Sequence, residues 1–543
     1  MPVEIVRKPV PSFKRKLISL ARKTQRIKNK QLAYWRHKKQ IVGDDIVAVH
    51  SSEAPIFCRL DPQLNLPQQR VQSHSAVQQS FRRASLQSWE IPTATNRSTH
   101  IALATRDREA SLVTLLQQEN MSHWYWYRLH PNGRKSGGAN ILATLDTTAE
   151  YAGIRIYEHV IPNQAASFRS GPSQGVTISF WAATENDTLT AETWNDRFVC
   201  VPDPLTRNAA FTEVLESAHK PLIREIDFPI DVVYTWVDGS DRDWQRSKAQ
   251  ALHLSDTDSH IQNAVDEARF ADHDELRYSL RSIEQYAPWV NKIWIVTADQ
   301  TPDWLDTNNP RVEVVSHKQI WPDKNGLPSF NSHAIEANIN GIAGLSEHYL
   351  YFNDDFLLGR PVRPESFYHG NGISKFFESR AQVDFSAVDD GDNASTIAAK
   401  NARSMIESAF GKTYSRKFFH VPTPVVKSVL ADAEQRFPEI FRVTRAAAFR
   451  QSTDIAAVGS FYFNWAHAAG KAVSSRISYA YIDPATTKGR RQFASATARR
   501  QYDTICINDG STDETPEQRI ETDIFIRKSL HEFLPVPSSF ELS

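Results

Sequence analysis

The stretch Glu347 to Gly359, EHYLYFNDDFLLG, limits the possible folds more than any other. An apolar run, Tyr349 to Phe352, passes at once into Asn353, Asp354 and Asp355, and a second apolar patch, Phe356 to Leu358, stops at Gly359. The pattern predicts a buried strand with carboxylates at its C-terminal end, the end beyond which ligands sit in open α/β sheets. Two adjacent carboxylates with no basic neighbour are costly unless positive charge lies beside them. A hard divalent cation that itself holds a phosphate supplies that charge. Adjacent residues on a regular strand face opposite ways, so only one of the two can meet the cation unless the chain turns there.

Three more apolar runs surround this one: PIDVVYTWVDG (Pro229 to Gly239), NKIWIVTAD (Asn291 to Asp299) and RVEVVSH (Arg311 to His317). Near-continuous Val/Ile runs suit strands covered on both faces. The spacing of Leu276, Leu280, Ile283, Ala287 and Val290 predicts a helix from Asp274 to about Val290, with Glu275, Arg277, Arg281 and Glu284 mostly on its outer side. Asp272, with Glu275 three residues on, reads as its N-cap. Strands alternating with helices give an α/β class with a mostly parallel sheet and flanking helices. A late run, TICIND, ends on Asn508 and Asp509. A single Asp at a strand end is usually a turn former, but Asp238, Asp354 with Asp355, and Asp509 make three such ends, which points to a shared metal or phosphate site. Gly239 and Gly510, after two of them, let backbone approach a ligand. The run DGSTDE alternates oxygens like an EF-hand loop, but its sixth position is Glu514 rather than Gly, which excludes that reading.

At 543 residues the chain needs more than one core. Texture divides it into a basic arm (1–45), an accessory region (46–225) that is β-rich from about 100, a catalytic α/β domain (226–515), and a C-terminal helix and tail (516–543). Gln, Ser, Arg and Pro without a firm period between 45 and 100 predict loops with a short helix or two. Trp124, Trp126, Trp181 and Trp194 are open to two readings, a sugar-binding face or strand core, with core the commoner outcome. Lys+Arg and Asp+Glu both number 63, and the core lacks a basic, aromatic-interleaved stripe, so nucleic acid is not an expected partner. The first 40 residues carry thirteen Lys/Arg against the single acid Glu4. Such an arm suits either peripheral contact with an anionic membrane or a solvated, partly helical tail. Cys58, Cys200 and Cys506 are too few and too scattered for a disulfide framework or a thiolate zinc site. No window approaches a transmembrane span and the basic N-terminus lacks an apolar h-region. The expected location is the cytoplasm, at the inner face of the cell membrane if the arm binds it.

His420 stands in HVPTP, before a Pro-rich turn where imidazoles seldom serve packing, and Arg450 stands in AFRQSTDIA just before a helix start. Each alone is more often structural than chemical. A second argument comes from resemblance. IDVVYTWVDGSD, then ARFADHDELRYSLRSIEQYAPWVNKIWIVTADQTPDWL, NPRVEVVSH and HAIEANINGIAGLSEHYLYFNDDFLLGRPV resemble the first two conserved blocks of the Stealth family of sugar-phosphate transferases. HVPTP with FRQSTDIA is similar to the third block, and ICINDG to the fourth. That family includes bacterial capsular and exopolysaccharide phosphotransferases and the catalytic chain of N-acetylglucosamine-1-phosphotransferase, and the present chain looks most like the bacterial members.

The resemblance implies a GT-A-like core that moves a hexose-1-phosphate from a UDP-sugar to a hydroxyl of an acceptor glycan and releases UMP. It implies that Trp236, Asp238, Gly239, Asp274 and Arg277 bind the nucleotide-sugar, and that Asp354, Asp355, Asn508 and Asp509 hold Mg²⁺ or Mn²⁺. Glu336 and Asp355 would act at the transfer site, His420 as general base and Arg450 as the clamp on the transferred phosphate. His273 and Thr423 depart from the pattern, standing where relatives usually carry Asn and some carry a second His. The alternatives are a metal-dependent UDP-sugar glycosyltransferase and a non-catalytic glycan-binding protein; a homo-oligomer is compatible with either.

Overall fold

The apolar runs become strands where the sequence places them. The computed structural model describes residues 27–28, 30–32, 36, 38, 41, 43–50, 54–93, 99–163, 168–254, 272–389, 391–508 and 514–542. The chain divides into two units, Met1–Lys220 and Pro221–Ser543. Most of the basic arm, together with Asp390, Asp509 and Gly510, lies outside the described residues.

The N-terminal unit is built on an eight-stranded, mainly antiparallel sheet. Its one parallel contact joins His100–Ala104 to Val176–Ala183. Trp124 and Trp126 are buried in one apolar cluster and Trp181 in another, so these three are core, while Trp194 is exposed. Between 45 and 100 the expected loops give way to three short strands and an 18-residue helix, Leu66–Arg83. Asn65 caps it by accepting from the Gln68 amide, and Pro67 occupies its first turn. The helix escapes periodicity because Gln69, Ser73 and Ser80 share its buried face with Val77 and Phe81.

In the C-terminal unit, β1 (Ile230–Thr235), β2 (Ile293–Thr297), β3 (Val312–Ser316) and β4 (His348–Asn353) run parallel in the order β3-β2-β1-β4. Their C-terminal ends therefore share one edge of the sheet, with Thr235 level with Asn353. The chain then turns at Asp354 and Asp355 into β5 (Phe356–Leu358), which leaves the sheet. β6 (Thr423–Val426) closes the main sheet as its antiparallel edge beside β4. β7 (Tyr479–Ile482) and β8 (Thr504–Ile507) join β5 in a second sheet of order β5-β8-β7. The TICI run is thus not a strand of the main sheet, as a single shared sheet would require. The turn after β4 brings the two sheets to the same place.

The helix expected from Asp274 to about Val290 is α1 (Glu275–Tyr286). Its charged side is not solvated: Glu275, Arg281 and Glu284 are as buried as Leu276 and Leu280. Segment 534–541 covers it. Arg281 makes a paired contact with Glu541 (2.8 and 2.7 Å) and donates to the Leu534 carbonyl, and Glu284 accepts from the Ser539 amide and hydroxyl. Asp272 does not cap the first turn; its carboxylate accepts from the Asp274 amide, and Asp274 adopts φ +73°. Glu275 instead reaches back to the His273 amide at 2.7 Å. Two further helices matter to the site region, the short α2 (Ser332–Glu336), capped by Asn331, and the long α3 (Pro516–Phe533), the expected terminal helix. The acidic loop before residue 394 folds over buried Lys400, whose ammonium donates to Asp392, Ser386 and the Ala387 carbonyl.

Candidate active site

The edge where β1, β2 and β4 end collects most of the acidic residues singled out in the sequence. After β1, Trp236 donates its indole N–H to Asp272 (3.3 Å). Asp238 folds into a turn, its carboxylate accepting from the amide and hydroxyl of Ser240 (2.8 and 2.6 Å). Gln300, from the segment after β2, brackets Asp238 by accepting from its amide and donating to its carbonyl and to Asp241. The Gly239 carbonyl accepts from Gln245. Before α1, Asp274 pairs with Arg277 at 2.9 Å, and the Arg277 guanidinium lies over the Trp304 ring.

Because the chain turns at residues 354 and 355, the alternation of a regular strand does not apply to them. Burial pushes the Asp354 carboxyl well above the usual carboxylate range, and the charges of Asp355, Glu275 and Asp272 push it further. Burial raises Asp355 to about 6 and Glu275 to about 7, the latter with help from Asp272. Acids that disfavour one another's ionisation call for positive charge nearby; His273 eases the rise at Glu275 and Arg527 that at Asp272. Asp355 is seated by β8: its carbonyl accepts from the Ile507 amide, and its Oδ2 accepts from the Cys506 thiol at 3.2 Å. Its Oδ1 is buried and unpartnered among the described residues. Asn508 follows directly, with its amide bound to the Ile482 carbonyl.

These features fit a cation that prefers oxygen. Two carboxylates with one spare buried oxygen are what a Mg²⁺- or Mn²⁺-type ion uses when substrate phosphates complete its shell. Among the described residues no three His, Cys, Asp or Glu side chains form a metal-holding group, and Asp509 lies outside those residues.

The second group lies on α2 and the segment before residue 454. Arg450 donates from Nη2 to the Ser332 hydroxyl at 2.7 Å, and its charge acts on Glu336. Burial raises the Glu336 carboxyl above its ordinary range, while His333 and Arg450 oppose the rise. Tyr351, on β4, joins the two groups. Its hydroxyl donates to Glu336 (3.4 Å), contacts Thr235 (3.2 Å) at the end of β1, and feels the charges of both Glu336 and Asp354. Thr423 sits opposite Tyr351 on β6.

His420 is exposed at the start of the turn before β6, with its ring 5.5 Å from that of Tyr481. Tyr481 is level with Cys506, whose thiol meets Asp355. The surrounding protein, and after it Lys417, lowers the His420 pKa below the ordinary imidazole value. His273 is tied to Asp523 on α3 at 2.7 Å, a structural contact between the α1 entry and the helix that follows Asp509.

Sequence reasoning missed Tyr351, Gln300, Cys506 and Asp454. None of them leaves a local signal. Tyr351 reads as strand core, Gln300 as a turn residue and Cys506 as an isolated thiol. Asp454 stands in QSTDIA, where nothing in the pattern sets it apart from its polar neighbours.

Three conserved regions of Stealth proteins match the chain: region 1 at residues 228–256, region 2 at 269–376 and region 3 at 419–467. Exopolysaccharide phosphotransferase SCO2592 of Streptomyces coelicolor is 37% identical over 423 residues, covering 74% of this chain and 44% of that protein. SCO2594 of the same organism is 42% identical, covering 58% and 52%. The chain therefore spans about half the length of these two relatives. The exopolysaccharide phosphotransferase CpsY of Mycobacterium tuberculosis is 32% identical over 398 residues, covering 72% of this chain and 73% of CpsY. A crystal structure of the galactosyltransferase LgtC matches with a TM-score of 0.29 at 9% identity, covering 57% of this chain and 98% of that one. With regions 1, 2 and 3 in sequence order and CpsY matched across nearly three quarters of its length, the chain belongs to the Stealth family.

Proposed function

We propose that the protein transfers a hexose-1-phosphate, such as N-acetylglucosamine-1-phosphate, from a UDP-sugar to a hydroxyl of an acceptor glycan, in exopolysaccharide or capsule synthesis. The supporting observation is the pairing of two unlike groups along the ends of β1 and β4. Asp272, Glu275, Asp354 and Asp355 repel one another, and Tyr351 connects them to Arg450 and Glu336. The names of the relatives point the same way.

In this reading Asp354 and Asp355, with Asn508 and Asp509, hold the Mg²⁺ or Mn²⁺, which when bound offsets charge on the diphosphate. Trp236, Asp238 and Gly239 line the nucleotide pocket, and Asp274 with Arg277 orders its wall. The acceptor oxygen forms a bond to the phosphorus that carries the sugar. The P–O bond to the uridine phosphate breaks, and UMP leaves with that oxygen. The acceptor proton passes to an imidazole nitrogen of His420, which is neutral at pH 7 because its pKa is held low. Arg450 presents N–H donors to the equatorial phosphate oxygens, and Glu336, close enough to act on its charge, orients it. Chemistry at phosphorus is mostly positioning and charge stabilisation, which these residues supply.

The donor and acceptor are the partners of this reaction, and the N-terminal arm would bring the enzyme to an anionic membrane surface on the cytoplasmic side. Among the described residues no helix is long and apolar enough to cross a membrane. Purified protein incubated with a panel of UDP-hexoses, Mg²⁺ and exopolysaccharide oligosaccharides should release UMP and form a phosphodiester visible by mass spectrometry. Release of UDP without UMP would identify an ordinary glycosyltransferase instead.

A further inference from the structure

Two segments distant in sequence are locked together by one buried carboxylate. Asp454 is 1% exposed. Its Oδ2 accepts from Asn331 Nδ2 at 2.8 Å and from the Gln451 amide at 3.0 Å. Asn331, itself fully buried, also donates to the carbonyls of Phe449 (3.3 Å) and Ala447 (3.4 Å), and its Oδ1 accepts from the His333 amide. The Phe330 amide donates to the Ala448 carbonyl at 2.7 Å. One side of this clamp carries Ser332 and Glu336, and the other carries Arg450. Their meeting point is the Arg450–Ser332 contact.

Both hydrogen bonds end on the same carboxylate oxygen, and hydrogen bonds to a charged acceptor are about twice as strong as those to a neutral one. The group that faces Asp454 is the His333 imidazole, whose Nδ1 lies 3.6 Å from Oδ2 in a buried contact. His333 stands one helical turn before Glu336 on α2, and its charge also acts on that carboxyl. Asn401, the other polar side chain recorded at this residue, meets only the Asp454 carbonyl.

We propose that Asp454, through its hydrogen bonds from Asn331 and Gln451, is the positioning residue that sets Arg450 against Ser332 and Glu336. The proposal rests on the transfer reaction above, in which Arg450 clamps the phosphate.

The test is Asp454→Asn in the full chain. Asparagine keeps the size of the side chain but replaces the charged acceptor with a neutral one, which weakens the bonds from Asn331 and Gln451. Displacing a catalytic group by about 1 Å costs on the order of 100-fold in rate, so kcat for UMP release from UDP-N-acetylglucosamine, or from whichever UDP-hexose turns over, should fall about 10- to 100-fold. The donor KM should stay within about twofold. Arg450→Lys combined with Asp454→Asn should be no slower than Arg450→Lys alone, because the clamp then has nothing left to position. Single-variant activity near wild type, or losses that multiply in the double variant, would overturn the proposal. If wild-type protein releases no UMP from any UDP-hexose, the transfer reading fails by itself, and the clamp is judged by a crystal structure of Asp454→Asn. Arg450 still bonded to Ser332 there would overturn it, and a displaced Arg450 would uphold it.

Discussion

Replacing Glu541 with Gln should unfold the C-terminal unit at a lower temperature by an amount the structure bounds. Glu541 accepts from Arg281 through both oxygens, from the Ser538 amide at 2.7 Å and from the Ser538 hydroxyl at 3.0 Å. Both members of the pair are 8% exposed on their side chains, so water does not screen them. Removing one partner of such a pair leaves the other charge buried and costs about 3–5 kcal/mol. At about 2 cal/mol/K of unfolding entropy per residue, a unit of this size loses roughly 1.5 °C per kcal/mol, which gives a fall of about 4.5–7.5 °C. Differential scanning calorimetry at pH 7 reads it. The pH dependence has a definite sign. Burial raises the Glu541 pKa, but the bonds from Arg281 and Ser538 outweigh that and leave it below the ordinary carboxylate value. The pair's contribution is thus complete above that ordinary value and disappears as pH falls through the lowered one, so the gap between variant and wild type should close in acid. Replacing both residues, Arg281→Met with Glu541→Leu, should recover most of the loss, because no charge is then stranded. A Glu541→Gln protein that melts within about 1 °C of wild type at pH 7 would refute the account of how α1 tolerates its buried charges.

Asp355→Asn should lower UMP release by about 100- to 1,000-fold and raise the Mg²⁺ concentration for half-maximal rate, with circular dichroism unchanged; unaltered Mg²⁺ dependence would remove Asp355 from the metal site. His420→Ala should cost about 100- to 10,000-fold in rate. In the wild type, kcat/KM should stay flat from pH 8 downward and fall only below the ordinary imidazole pKa, since the low His420 pKa keeps the base neutral to more acid pH; a fall already at pH 7 would contradict that. Deleting residues 1–40 should reduce sedimentation with anionic vesicles and spare turnover on soluble acceptor, and unchanged sedimentation would count against the membrane role.

The four parallel strands were readable because Val/Ile runs covered on both faces leave an unbroken apolar signature, as in Ile293 to Val296. The same logic misjudged α1. Periodicity separates apolar from charged positions, but only the fold shows that Glu541 and Ser539 come from more than 250 residues away to cover the charged side. The Leu66–Arg83 helix was hidden for the opposite reason, its inner face being partly Gln and Ser. For the site, Asp354 and Asp355 announced themselves through strand-end position, while His420 and Arg450 gained meaning only from family resemblance. Asp454 and Tyr351 matter through what they touch, and touching is not a property of either residue's neighbours in sequence.

The pairing of β5 with β8 also fixes when Asp355 can be seated. Asp355 and Cys506 are 151 residues apart in the chain. During synthesis β1 to β4 leave the ribosome well before the strand that seats Asp355 exists, and at about 5–20 residues per second the wait is roughly 8–30 s. For that interval the nascent chain has its parallel sheet but an unseated carboxylate. A chain released before β8 by a premature stop would keep that defect permanently. Placing this partner so late makes translation itself a check that only chains extending past residue 507 can seat Asp355.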